Sequence, residues 1–174
     1  LIRQGKVRFI GCSNFPAPKV LEACRISAEM KISGFVSCQD QYSLLVRTIG
    51  QDLVPVMENC GLGLLPFFPL AGGVLTGKYK RGEPPSEGTR FAAWKEFARR
   101  YDNEANWNTV ERLERFCAEW NCSMLEAAFG WLLSKPVVSS VIAGATKPDQ
   151  VEMNVRAASR SLSPEEVSEI EREL

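Results

Sequence analysis

The chain has 174 residues, 45% of them hydrophobic and 24% charged, with 21 Lys and Arg set against 21 Asp and Glu. This is ordinary composition for one globular domain, and the even charge balance argues against nucleic acid or an anionic membrane surface as a main partner. No apolar run reaches bilayer length and no signal-peptide pattern is visible, so a soluble cytoplasmic protein is expected.

Taken in order, Leu1 to Gly5 reads as the last turn of a helix closed by a glycine, so the chain is expected to begin inside a structural unit. Lys6 to Gly11 reads as a first strand, followed by Ser13 and Asn14 at its carboxyl end. From Pro18 to about Lys31, Val20, Leu21, Cys24 and Ala28 keep helical spacing. Phe35 to Gln39 reads as a second strand, and Leu53, Val56, Met57 and Cys60 mark a helix stopped by Gly61, with Pro55 tolerable in its first turn. Gly63 to Phe67 is the third strand. Strand starts thus recur at intervals of about 28 residues, the spacing of β-α units on a parallel sheet.

Between Lys78 and about Trp107 the pattern is interrupted by a Gly/Pro-rich stretch and by Phe91, Trp94, Phe97, Tyr101 and Trp107. These aromatics either dock the insertion onto the core or help to build a site, and partial helix is expected from Phe91 to Arg100. A helix is expected to start at Asn108, with Val110, Leu113, Cys117 and Trp120 on one face. Ser123 and Glu126 form a capping-box signature opening a largely buried helix that stops before Pro136. Val137 to Ile142 reads as a fourth strand, Pro148 to Ala158 as a helix, and Ser163 to Glu166 as the cap of a final helix.

The six cysteines lie in or beside apolar segments without a C-x-x-C pair, so they read as small buried hydrophobes, and no disulfide framework or typical zinc set is expected. The chain contains no histidine, which excludes Ser-His or Cys-His catalysis within it.

Gly61 to Tyr79 joins a short apolar strand to a loop in which Gly72, Gly73 and Gly77 lie close in sequence to Thr76 and Lys78. Such a loop brings backbone N–H groups near an anion, and a hydroxyl and an ammonium add donors. Read alone it is either a phosphate cradle or a tight turn with a solvated lysine.

The segment Phe68-Pro-Leu-Ala-Gly-Gly-Val-Leu-Thr-Gly-Lys-Tyr79 resembles the SPLAxGLLTGKY loop of the aldo-keto reductases. Three further segments resemble motifs of that family in its order: Ile10-Gly-Cys-Ser-Asn-Phe15, Val36-Ser-Cys-Gln-Asp-Gln-Tyr42 with Leu44 and Arg47, and Val141 to Asn154. The resemblance covers nearly the whole chain but only the second half of the family's fold. It implies an α/β architecture, the carboxyl-terminal half of a (β/α)8 TIM barrel with four parallel strands and flanking helices over residues 1–174.

The resemblance also implies an NADP site. Ser13, Asn14 and Gln39 would hydrogen-bond the nicotinamide carboxamide, and Phe67 would stack on the ring. Phe68 stands where the family usually has serine and lacks the hydroxyl. Phe68, Pro69, Leu70, Ala71, Gly73, Thr76 and Lys78 would line the pyrophosphate, with Arg90 closing over it as a charge clamp. Gly144, Thr146 and Lys147, at the start of a helix, would take the phosphate on the adenosine ribose, and Lys147 favours NADP over NAD. Gln150 and Asn154 would face the same phosphate and the adenine, while Met153 replaces a glutamate that the family often has.

The family's catalytic aspartate, tyrosine, lysine and histidine lie on strands that no segment here matches. The resemblance therefore implies the cofactor-binding half of a reductase of aldehydes or ketones, itself inactive, with NADPH and, in the intact parent, a small carbonyl substrate as partners. Exposed sheet edges imply self-association or pairing with the companion half. Two other readings are a non-enzymatic cofactor-sensing subunit like the potassium-channel β subunits, and a barrel half with a generic sugar-phosphate site.

Overall fold

The computed structural model describes residues 1–174. Three parallel strands, β1 (Ile10–Ser13), β2 (Phe35–Gln39) and β3 (Gly63–Leu64), lie in the order β1-β2-β3. Helices α1 (Ala17–Met30) and α2 (Leu53–Cys60) follow the first two strands, so each parallel crossover passes through a helix, as parallel pairing requires. The fold is α/β.

The second strand and α2 match the sequence expectation at both ends. Gly61 closes α2 in the left-handed region (φ 67°), returning its N–H to the Glu58 and Met57 carbonyls. The first strand is shifted. Lys6 to Phe9, expected as strand, is unpaired and Phe9 is exposed, because β2 offers its register partners to Ile10 through Ser13 instead.

The third strand is shorter than expected, but its line continues as parallel bridges from Phe67 to Gln41 on one side and to Ile142 on the other. The expected fourth strand, Val137 to Ile142, forms no continuous ladder. It pairs with the β3 line at two isolated parallel bridges, Leu64 to Val138 and Phe67 to Ile142, through bonds that include Ser139 N–H to the Leu64 carbonyl (2.9 Å) and Ile142 N–H to the Pro66 carbonyl (3.0 Å).

The insertion forms two short helices, α3 (Arg90–Ala93) and α4 (Lys95–Arg99). Its aromatics mostly dock it onto the core. Phe91 stacks on Tyr79 at 4.2 Å, Phe97 meets Phe68 at 5.3 Å, and Tyr101 accepts a bond from Gln41 Nε2 at 2.7 Å. Trp94 is exposed.

Helix α5 (Glu104–Glu119) starts earlier than expected, because Asn103 caps it by accepting the Asn106 N–H. Helices α6 (Met124–Leu133) and α8 (Pro164–Glu173) both open with the expected capping box, and α7 (Pro148–Ala158) has the expected bounds. Trp131, Leu132 and Phe129 of α6 are buried, with Trp131 packed against Tyr42 and under the guanidinium of Arg47.

All six cysteines are free thiols, Cys38 and Cys117 buried and the other four half-buried. The core gathers α2, α5, α6 and α8 around the sheet and the 71–75 loop. Two flanks carry exposed apolar side chains: Leu21, Ile26 and Met30 on α1, and Val151, Met153 and Val155 on α7. No helix is long and apolar enough to cross a membrane.

Candidate functional site

Parallel strands end on the same edge, and here the ends of β1, β2, the β3 line and the Val137–Ile142 segment stand side by side. At that edge Ser13 Oγ donates to the Gln39 carbonyl (2.8 Å), the Asn14 N–H donates to the same carbonyl (3.2 Å), and Asn14 Nδ2 donates to Ser13 Oγ (3.0 Å). Ser13, Asn14 and Gln39 therefore form one bonded group, and all three are exposed. Across the sheet, the Phe67 N–H donates to the Asp40 carbonyl (3.0 Å), which places Phe67 next in line.

Backbone strain concentrates here. Five non-glycine residues have positive φ. Lys31 and Asn121 occupy helix-end positions where that conformation is routine, whereas Asn14 (57°), Phe68 (51°) and Ala71 (48°) lie at strand ends or in the loop after β3. Left-handed backbone costs roughly 1–2 kcal/mol for a residue with a Cβ, and such positions gather where a loop must present its amides in a fixed way.

The loop itself holds its shape through glycine. Gly72 (71°) and Gly73 (102°) interrupt the Ala71–Thr76 turn, and Thr76 Oγ1 donates to the Gly73 carbonyl (2.7 Å). A Cβ on Gly73 would meet the ammonium of Lys78 at 2.8 Å, so the lysine folds back over the glycine. Pro69, Ala71 and Gly72 are buried and shape the loop from within, while Leu70 is half-buried and Thr76 and Lys78 are exposed.

Arg90, at the start of α3, links three segments. Its guanidinium lies 5.9 Å over the Phe68 ring and 6.0 Å over the Phe97 ring, and its Nη2 stands 3.9 Å from where a Cβ on Gly144 would be. Phe68, which has no hydroxyl, gives the arginine an aromatic platform. The Gly144 turn leads to α7, where the Thr146 N–H and Oγ1 both donate to Gln150 Oε1 (2.7 and 3.2 Å). Lys147 occupies the N-cap position of α7 without a side-chain cap bond and is exposed; Asn154, one turn beyond Gln150, is half-buried.

Lys78, Arg90 and Lys147 make no ion pair with any carboxylate of the chain, unlike Lys80, Lys135 or Arg160. Each of these three cations is therefore free to meet an anion. A concavity of about 510 Å³ lies elsewhere, between the end of α6 and α8, lined by Ser134, Leu162, Val167 and Glu171 among others.

One residue escaped the sequence reading. Asp40 follows β2 and is buried, its Oδ2 without a partner, and burial pushes its carboxyl up to about 6 against the opposing pull of the Asn14 amide. Its neighbour Gln39 drew attention for its amide; nothing local in Gln39-Asp40-Gln41 signals that the middle side chain turns inward.

Comparison with known proteins is consistent along the chain. A model of the aldo/keto reductase family matches residues 1–173. Similar proteins include a probable voltage-gated potassium channel subunit beta of Oryza sativa subsp. japonica, 35% identical over 98% of this chain and 53% of its own length. They also include the L-glyceraldehyde 3-phosphate reductase of Escherichia coli O157:H7, 31% identical over 99% of this chain and 51% of its own. A third is the uncharacterized oxidoreductase YrpG of Bacillus subtilis (strain 168), 30% identical over 94% and 48%. The chain spans about half the length of the curated relatives it matches. With the family's motifs meeting along one edge of a parallel sheet, the chain belongs to the aldo/keto reductase family.

Proposed function

We propose that residues 1–174 are the NADP(H)-binding, carboxyl-terminal half of an aldo-keto reductase barrel, with Val137 to Ile142 serving as its fourth strand position. The observation that carries this reading is the contact of Arg90 with both Phe68 and the Gly144 turn, since it draws the loop after β3, the insertion and the start of α7 around one space. In that space Ser13, Asn14 and Gln39 bind the carboxamide and fix which face of the ring is presented. Phe67 covers the other face and keeps water from it. Lys78 and Arg90 hold the pyrophosphate beside Leu70, Gly73 and Thr76 of the loop after β3, and Thr146, Lys147, Gln150 and Asn154 hold the adenosine end. Bound NADPH supplies the hydride that an aldehyde or ketone accepts.

The chain has no histidine, and it offers no match to the family's catalytic aspartate, tyrosine and lysine, so it is expected to turn over no carbonyl by itself. The exposed apolar faces of α1 and α7 are covered by the companion half or by a second copy. A cytoplasmic setting suits six free thiols.

Fluorescence titration tests the reading. NADPH should bind more tightly than NADH, and absence of binding at millimolar NADPH would overturn it. Turnover of a carbonyl by the chain alone would overturn the claim of inactivity.

The likeness to potassium channel beta subunits supports a second reading, in which the dinucleotide is sensed rather than consumed. Both readings need the cofactor site. They separate on reconstitution with the companion half, which restores carbonyl reduction only in the first.

A further inference from the structure

The parallel register that joins β1 to β2 makes Cys12 the direct partner of Cys38. Their sulfur atoms stand 3.3 Å apart. A disulfide needs about 2.05 Å between sulfurs and about 4.4–6.8 Å between Cα atoms. Adjacent strands already supply the second distance, at about 4.8 Å. Rotation of the two side chains is then enough to supply the first.

The two thiols are not equivalent. Cys12 is half-buried on the edge strand β1, whereas Cys38 is fully buried on the central strand β2. Of the two, Cys12 is the one that solvent reaches, and Cys38 lies beside it. This is the arrangement of an attacking and a resolving thiol.

We propose that Cys12 and Cys38 form a redox-active dithiol, a modification site at which low-molecular-weight disulfides such as oxidised glutathione close a Cys12–Cys38 disulfide. Cys12 gives its proton to water, and its thiolate attacks one sulfur of the small disulfide. A Cys12 mixed disulfide forms and one thiolate leaves. Cys38 then loses its proton and attacks the Cys12 sulfur, which forms the intrachain bond and expels the second thiolate. The protein dithiol loses two electrons and two protons, and the small disulfide gains them as two thiols.

Burial, with the Cys12 contact adding to it, pushes the Cys38 thiol up. The new bond would lie one residue before Ser13 and Gln39, in the rung just below their 2.8 Å hydrogen bond. Two other pairs are neighbours as well, Cys24 with Cys60 and Cys117 with Cys122, so the site of linkage must be read directly.

The experiment treats the full chain with oxidised glutathione, blocks residual thiols by alkylation, digests with trypsin and reads peptide masses. Trypsin places Cys12 in the 9–19 peptide and Cys38 in the 32–47 peptide. The expected result is these two peptides joined, two hydrogens lighter than their sum, and released by dithiothreitol. In Cys38→Ala the glutathione adduct should persist on Cys12, because nothing resolves it. Recovery of both thiols alkylated, linkage confined to the other pairs, or no adduct on Cys12 in Cys38→Ala would each overturn the proposal. The outcome does not depend on whether the chain binds NADPH, so this site and the cofactor reading stand or fall separately.

Discussion

Arg90 and Gly144, 54 positions apart in the chain, are held as neighbours: the arginine Nη2 lies 3.9 Å from the point where a Cβ on Gly144 would sit. The guanidinium rests on aromatic rings and has no carboxylate partner, so its charge remains available to a ligand. Arg90→Ala should weaken NADPH binding about tenfold or more, the loss of one charge-assisted hydrogen bond of about 1.5–3 kcal/mol. Its stability should fall by no more than about 1 kcal/mol, the loss of its cation–π contacts, so the melting midpoint should move only slightly. Titration alongside a thermal melt checks both, and unchanged affinity would remove Arg90 from the site.

On the proposed reading, Lys147 is the residue expected to separate the two dinucleotides. It stands at the N-cap position of α7 beside Thr146 and Gln150, where the proposed pose puts the extra phosphate of NADPH. Lys147→Ala should raise the Kd for NADPH about tenfold, equivalent to about 1.4 kcal/mol, and leave that for NADH unchanged. Equal weakening of both would assign the lysine to another part of the ligand.

Asp40 gives stability a pH dependence. Its carboxyl stands at about 6 in the folded chain against an ordinary 3.8, because burial penalises the charge. Between those values the folded state holds a proton that the unfolded state has released, so stability falls as pH rises through this window and levels off above it. The cost at neutral pH is at most about 3 kcal/mol. Urea midpoints at pH 4.5 and 7.5 should show Asp40→Asn removing this fall and gaining stability at the higher pH. A parallel pH profile in both proteins would contradict it.

Gly11 lets β1 and β2 approach closely. A Cβ there would stand 2.5 Å from Ser37 Oγ and 2.8 Å from the Ser37 carbonyl oxygen, and the latter belongs to a backbone that cannot rotate aside. Gly11→Ala should destabilise the chain by about 1–3 kcal/mol through overpacking. Denaturant unfolding measures it, and a neutral effect would mean that the strands can separate without loss.

Much of the fold was legible because its signals are local. Ser123 with Glu126, and Ser163 with Glu166, state where α6 and α8 begin, and Gly61 states where α2 ends. Helix α5 began four residues early because Asn103 is its cap, a signal masked by assigning Trp107 to the aromatic insertion. Val7 and Phe9 looked like strand, yet a strand exists only where a neighbour offers its carbonyls, and β2 offers them from Ile10 onward. Val137 to Ile142 meets the β3 line at Leu64 and Phe67 alone, so it shows as two parallel bridges rather than a ladder. Within the site, resemblance supplied the residues. The inward turn of Asp40 and the closeness of Cys12 to Cys38 depend on which strands become neighbours, and neither has a signature in its own segment.

The greasy faces of α1 and α7 lie open to solvent. If copies meet there, mass action ties folding to assembly, and the melting midpoint climbs as the sample is concentrated. Dilution alone would then loosen the chain, with no change in pH, salt or ligand.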